Sequence, residues 1–185
     1  FTVILGIVLT AVGMTFTRPI ARLLGANEEL IDHAEIYGRT VIGFVVFFML
    51  QNVFQSFLAA AGKPRIGLLV TAIAGLTNAF FDWLFIAAMK LGLVGAGVAT
   101  GLGQIVGGIV PLIYFCRKNG SLLRLKRTKL ELSPILKSCA NGSSELLTNV
   151  ASSIVGIIYN LQLMAYKGKN GVSAYGVLMY TQLVF

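Results

Sequence analysis

The sequence predicts an all-α polytopic membrane protein, and three observations carry that prediction. Apolar residues fill 56% of the 185 positions and charged residues only 12%, against the ~25% charged share of soluble domains. The apolar residues fall in runs long enough to cross a ~30 Å hydrocarbon core as helices at ~1.5 Å per residue. The few polar residues inside those runs recur at helical spacing. They form narrow stripes, not the wide polar faces that a water-soluble helix needs.

Taken in order, Phe1–Phe16 is the visible part of a first membrane helix, and Arg18-Pro19 follows it as a helix start or a break. A loop from Arg18 to His33 holds a short amphipathic piece, Ile20–Leu24, and a helix entrance with Asn27 as N-cap before Glu28 and Glu29. The second helix is expected over Ala34–Ala60, followed by the basic turn Ala61-Gly62-Lys63-Pro64-Arg65. The third is Ile66–Met89 and the fourth Ala96–Cys116, joined by the turn Lys90–Gly95. Arg117–Ser133 is a long basic loop in which Leu alternates with Arg and Lys, as in an interfacial segment. Pro134–Tyr166 is a fifth helix, longer than one crossing needs, and Lys167–Gly171 turns the chain into a sixth. The chain opens at Phe1 and closes at Phe185 inside apolar runs, which reads as an internal segment of a longer protein, with no signal peptide to read in it.

The net charge of +8 points to anionic lipid and not to nucleic acid. The turn at Lys63/Arg65 and the loop Arg117–Lys129 share one side of the membrane by parity; with Lys137 they hold nine of the fifteen Lys and Arg. The positive-inside rule puts that side, residues 61–65 and 117–133, in the cytoplasm of a multi-pass cell-membrane protein. The sequons at Asn119 and Asn141 fall on the same side and are discounted as glycosylation sites. Cys116 and Cys139 lack a metal-ligand spacing and fit a reduced setting. His33, the lone histidine, reads as a solvated loop residue. Gly101-Leu102-Gly103 with Gly107 has no preceding strand and is no dinucleotide loop.

Polar or small residues line one face of each complete helix. The second carries Phe48, Gln51, Asn52 and Gln55; the third Thr71, Gly75, Asn78 and Asp82; the fourth Gly97, Thr100, Gln104, Gly108 and Pro111; the fifth Glu145, Asn149, Ser152, Gly156 and Asn160. Such stripes ordinarily serve helix packing. Asp82 is different, because an ionisable group costs far more to bury than an amide and normally faces protein or a water-filled cavity. It could exchange a proton, or hold Na⁺ with oxygens from Asn78, Thr100 or Asn52. Either occupancy changes the local charge by one unit and can bias a two-state bundle. An enzyme would need a His, Cys or paired-carboxylate constellation inside the membrane. None is visible beside Asp82, so no catalytic residues and no cofactor are expected.

The order of motifs resembles a known family. Asn78-x-x-x-Asp82-x-x-x-Ile86, then Leu91-Gly92-Leu93-Val94-Gly95-Ala96-Gly97-Val98-Ala99-Thr100, is similar to the fifth and sixth helices of the multidrug and toxic compound extrusion (MATE) transporters. Ala60-Ala61-Gly62-Lys63-Pro64 resembles the turn before them, and Gly171-x-x-Ala174-Tyr175-Gly176 the start of the family's eighth helix. The resemblance implies part of a two-lobe, twelve-helix bundle, from the third to the eighth helix. Residues 1–116 would belong to the N-terminal six-helix lobe, 117–133 to a cytoplasmic inter-lobe loop and 134–185 to the start of the C-terminal lobe. It further implies export of bulky cationic or amphiphilic drugs in exchange for H⁺ or Na⁺, by a protein acting as a monomer in contact with membrane lipids. The family's cation site maps onto Asp82, Asn78, Thr100 and Asn52, and its other carboxylate belongs to the family's first helix. Gln55, Gln104 and Glu145 are weaker candidates. Glu145 departs from the family pattern, since Gly142-Ser143-Ser144 replaces a Gly-x-Pro entrance. The alternative is a lipid-linked oligosaccharide flippase of similar two-lobe fold. That protein would need cavity-lining basic residues, and Arg39 is the one exception to their absence from the stripes.

Overall fold

The computed structural model describes residues 1–23, 31–117, 123 and 131–182. Among these the secondary structure is helical throughout, as the hydropathy pattern predicts, with six α-helices and one π-helical stretch: α1 (Thr2–Leu23), α2 (Ile31–Ile42), α3 (Val45–Ala60), α4 (Pro64–Asp82) continued by the π-helix Trp83–Ala88, α5 (Gly92–Cys116) and α6 (Leu132–Gln182). Four helices are long and apolar enough to span a membrane, or five if the bent pair α2–α3 is one span. The chain is a membrane protein. It divides into two units: Phe1–Arg22 with Ala26–Leu130, and Leu23–Gly25 with Glu131–Phe185.

Four local features differ from the sequence expectation. First, α1 does not stop at Phe16 but runs through Pro19 to Leu23. Second, the helix expected over Ala34–Ala60 is two helices meeting at 50°. Gly43 and Phe44 form the break, with the Phe44 amide bonded three residues back to Val41 at 3.0 Å. Glycine is a common site of such kinks, and the bend seats the Phe44 ring directly on Gly101 of α5, where an added Cβ would overlap it. Third, the span containing Asp82 leaves α-helical geometry at Trp83. The Met89 amide bonds to Leu84 five residues back and the Leu91 amide to Phe85 six back. Lys90 and Gly92, both with positive φ, turn the chain into α5. Fourth, α6 holds the turn expected at Lys167–Gly171 as a single non-helical residue, Gly168. The expected N-cap Asn27, the sequon at Asn119 and most of the basic loop after Arg117 lie outside the described residues.

In the first unit α5 packs on α2, α3 and α4, and its glycines explain how. Gly97 faces Thr40, Gly101 faces Phe44, and Gly108 faces the Phe47 carbonyl and Leu50. On a second face Gly103 lies against Ala74 and Asn78, and Gly107 against Gln51. Without hydrophobic driving force between helices in lipid, such close approach supplies the van der Waals contact that holds them. Toward the Arg117 end, Phe54, Leu58 and Phe115 form a buried cluster, with Phe54 and Phe115 stacked at 5.8 Å and Phe57 edge-on to both. α1 meets α2 and α3 through Gly13 against Ile42 and Gly6 against Val46. Arg18 reaches Asp32 at 3.2 Å and Glu35 at 3.6 Å, and Glu35 also binds Arg39 at 2.8 Å.

The second unit is built on α6. Its first segment, Leu132–Gly168, is longer than one crossing needs. Beyond Gly168 the chain brings Tyr175 against Tyr159, rings parallel within 4° and 5.6 Å apart.

Candidate functional site

Hydroxyls and amides in a bilayer must find partners within the protein. Most here take the nearest carbonyl, one turn back on their own helix. Thr15, Thr17, Thr40, Thr77 and Thr100 all do this, at 2.6–2.9 Å. Asn52 does the same, donating to the Phe48 carbonyl at 2.8 Å, and its side chain is exposed on the unit. Among the described residues Asn52 makes no hydrogen bond to Asp82, Asn78 or Thr100.

It does bring Asn78 to Thr100. The Asn78 amide on α4 donates to the Thr100 hydroxyl on α5 over a long 3.5 Å. Thr100 spends its own proton on the Ala96 carbonyl at 2.9 Å. Asn78 is placed for this because Gly103, three residues past Thr100, leaves room for its Cβ. Asp82 is one turn beyond Asn78 on the same helical face. It is the last α-helical residue before the π stretch and is half-buried. Among the described residues its carboxylate makes no hydrogen bond or ion pair. Nor do they hold a cluster of three or more His, Cys, Asp or Glu. One carboxylate with a neighbouring amide and hydroxyl is a donor set for a proton or a singly charged hard cation.

Two further polar groups lie toward the Arg117 end of α5. Gln104 follows Thr100 by one turn, and its Oε1 is buried with no donor among the described residues. An acceptor left in that state costs ~1–3 kcal/mol. Gln55 bridges α3 to α4, donating to the Thr71 hydroxyl and to the Gly67 carbonyl at 3.2 Å. It is a helix-to-helix tie set apart from Asp82. Glu145 is in the second unit, where Asn149 one turn on donates to both its carbonyl and its carboxylate, at 2.9 and 3.3 Å.

Residue spacing gave no sign of the π-helical stretch beside Asp82, since Trp83–Ala88 is an ordinary apolar run. The break in the second span had a visible signal, Gly43 inside a long apolar run.

Comparison with known proteins bears on this arrangement. The MatE family model matches residues 1–84. The multidrug export protein MepA of Staphylococcus haemolyticus is 28% identical over 180 residues, covering 95% of this chain and 39% of the relative. MepA of Staphylococcus saprophyticus is 28% identical over 178 residues, 94% of this chain and 39% of that protein. The chain thus spans about two fifths of the length of these relatives. Two solved structures share the fold at 21% identity. One is the inward-facing conformation of a multidrug resistance MATE family transporter of the MOP superfamily, with a TM-score of 0.83 over 94% of this chain and 40% of the other. The second is a MOP superfamily transporter from Pyrococcus furiosus, with a TM-score of 0.85 over 98% of this chain and 41% of the other, described as having a binding pocket of reversed polarity. Relatives named as export proteins, a family model matching residues 1–84 and a shared transporter fold agree with one another: the chain is similar to MATE family transporters.

Proposed function

We propose that the protein containing this chain is a cation-coupled antiporter that exports bulky cationic or amphiphilic compounds by alternating access. The observation that carries the proposal is Asp82. It is a carboxylate without a protein partner among the described residues, one turn from the Asn78–Thr100 pair, in a 25-residue apolar span. A charge is costly at such a position and rarely placed there without use. Binding H⁺ or Na⁺ neutralises it, so occupancy alters the relative stability of states that solvate the group differently. Drug export then requires only that drug and cation favour opposite states. Asp82, Asn78 and Thr100 form the working set. Asn52, whose amide N–H donates to the Phe48 carbonyl, stands outside this set.

In this reading residues 1–116 belong to the N-terminal lobe, 117–133 to the cytoplasmic link and 134–185 to the C-terminal lobe, with residues 61–65 also cytoplasmic. The protein works as a monomer in the cell membrane, and its substrates are small-molecule drugs or organic cations. MepA relatives named for multidrug export support drugs as the substrates. The flippase alternative finds less support. Arg39, its one basic candidate, is held by Glu35 at 2.8 Å and so is not a free cation awaiting an anionic headgroup.

The test is drug efflux from vesicles of the full-length protein under an imposed pH gradient and, separately, an imposed Na⁺ gradient. Efflux should follow at least one of them. Efflux indifferent to both would refute ion coupling.

A further inference from the structure

Gln104 has a buried carbonyl oxygen that the working set leaves unused. Its Oε1 accepts no hydrogen bond among the described residues. Native proteins rarely leave such an acceptor unpaired unless a water or an ion serves it. Thr100, one turn back on the same face, has its single proton committed to the Ala96 carbonyl. Gln104 also sits at a junction of three helices. Gly103 beside it packs on Asn78 of α4, and Gly107 one turn on packs on Gln51 of α3. Polar side chains then continue toward the Arg117 end through Gln55 and Thr71.

We propose that Gln104 Oε1 is a ligand for Na⁺, the next oxygen below the Asp82–Asn78–Thr100 group on the route between that group and the Arg117 end of the bundle. The proposal rests on the antiport reading and narrows its ion. A proton on the Asp82 carboxyl needs no carbonyl oxygen a turn or more away. A Na⁺ shedding its water needs several oxygens in succession, and amide carbonyls replace hydration well. A release path for such an ion would present what position 104 presents: a shielded carbonyl, unclaimed by any donor, on the face that already carries Thr100.

The experiment uses the detergent-solubilised full-length protein. Thermal unfolding is followed while Na⁺ replaces K⁺ at constant ionic strength, since an ion bound to the folded state raises the transition in proportion to its occupancy. The same replacement is then repeated for drug efflux from vesicles. Gln104→Met keeps length and volume but removes the oxygen, and should raise the Na⁺ midpoint about tenfold in both assays. Gln104→Glu, which keeps an oxygen and adds charge, should lower the midpoint and serves if the Met variant fails to fold. An unchanged midpoint in a folded variant overturns the proposal. So does a wild-type protein that shows no Na⁺-specific stabilisation while its efflux follows a pH gradient, an outcome that leaves the antiport reading standing. Wild-type efflux that follows neither gradient removes both.

Discussion

Asn78 on α4 and Thr100 on α5 are joined across the helix interface, amide to hydroxyl, at 3.5 Å. At that length the bond is at the edge of hydrogen-bonding geometry, so it does little to clamp the helices. A cation drawing both side chains toward the Asp82 carboxylate would displace it at small cost.

Thr100 is therefore predicted to matter through its oxygen. Thr100→Val keeps shape and loses the acceptor. It should weaken cation dependence of efflux by about tenfold, equivalent to ~1.4 kcal/mol, whereas Thr100→Ser should retain most of it. Efflux titrated against the driving cation distinguishes the two variants.

Asn52 gives the contrasting prediction. Its amide is committed to the Phe48 carbonyl on its own helix, so Asn52→Ala should shift the cation midpoint far less than Asn78→Ala. Equal shifts in the same titration would show that Asn52 swings into the site.

Gly101 is predicted to be intolerant of any side chain. An added Cβ would overlap the Phe44 ring, and that ring is held by the bend at Gly43–Phe44. Gly101→Ala should destabilise the full-length protein by about 1–3 kcal/mol, the usual cost of overpacking, read as a lowered unfolding temperature in detergent. Gly75 provides the control. No atom lies within 4 Å of a Cβ added there, so Gly75→Ala should leave that temperature unchanged or slightly raised.

Phe115 closes the Arg117 end of α5 by stacking on Phe54. Phe115→Ala opens a cavity in a cluster whose members are nearly inaccessible. It should cost about 3 kcal/mol of stability in the same measurement. Phe115→Leu should recover part of the loss.

Much of this was legible in the chain. Charge depletion and the length of the runs gave the membrane class. Spacing alone put Asn78, Asp82 and Thr100 on facing stripes, and the structure joins Asn78 to Thr100. Periodicity fails where hydrogen bonding changes without a change in composition. Trp83–Ala88 is as apolar as an α-helix would be, and only the backbone shows that its bonds reach five residues back. It fails again where a side chain has two options: Asn52 at the right height could face the site or bond its own helix, and sequence cannot choose. Pro19 shows the reverse error. Proline there is read as a helix start or a break, yet α1 accommodates it within its last two turns. The buried Gln104 oxygen lay beyond any sequence pattern, because burial at that position depends on how closely Gly103 and Gly107 let α4 and α3 approach.

The central claim is that Asp82 is where the driving cation acts. Its most direct test is Asp82→Asn in the full-length protein, reconstituted in vesicles with drug efflux followed under pH and Na⁺ gradients. Asparagine keeps the size and the polarity but cannot gain or lose a unit charge. The account predicts a folded, drug-binding protein whose efflux no longer responds to either gradient. Efflux that still tracks the gradient as in the wild type would contradict it.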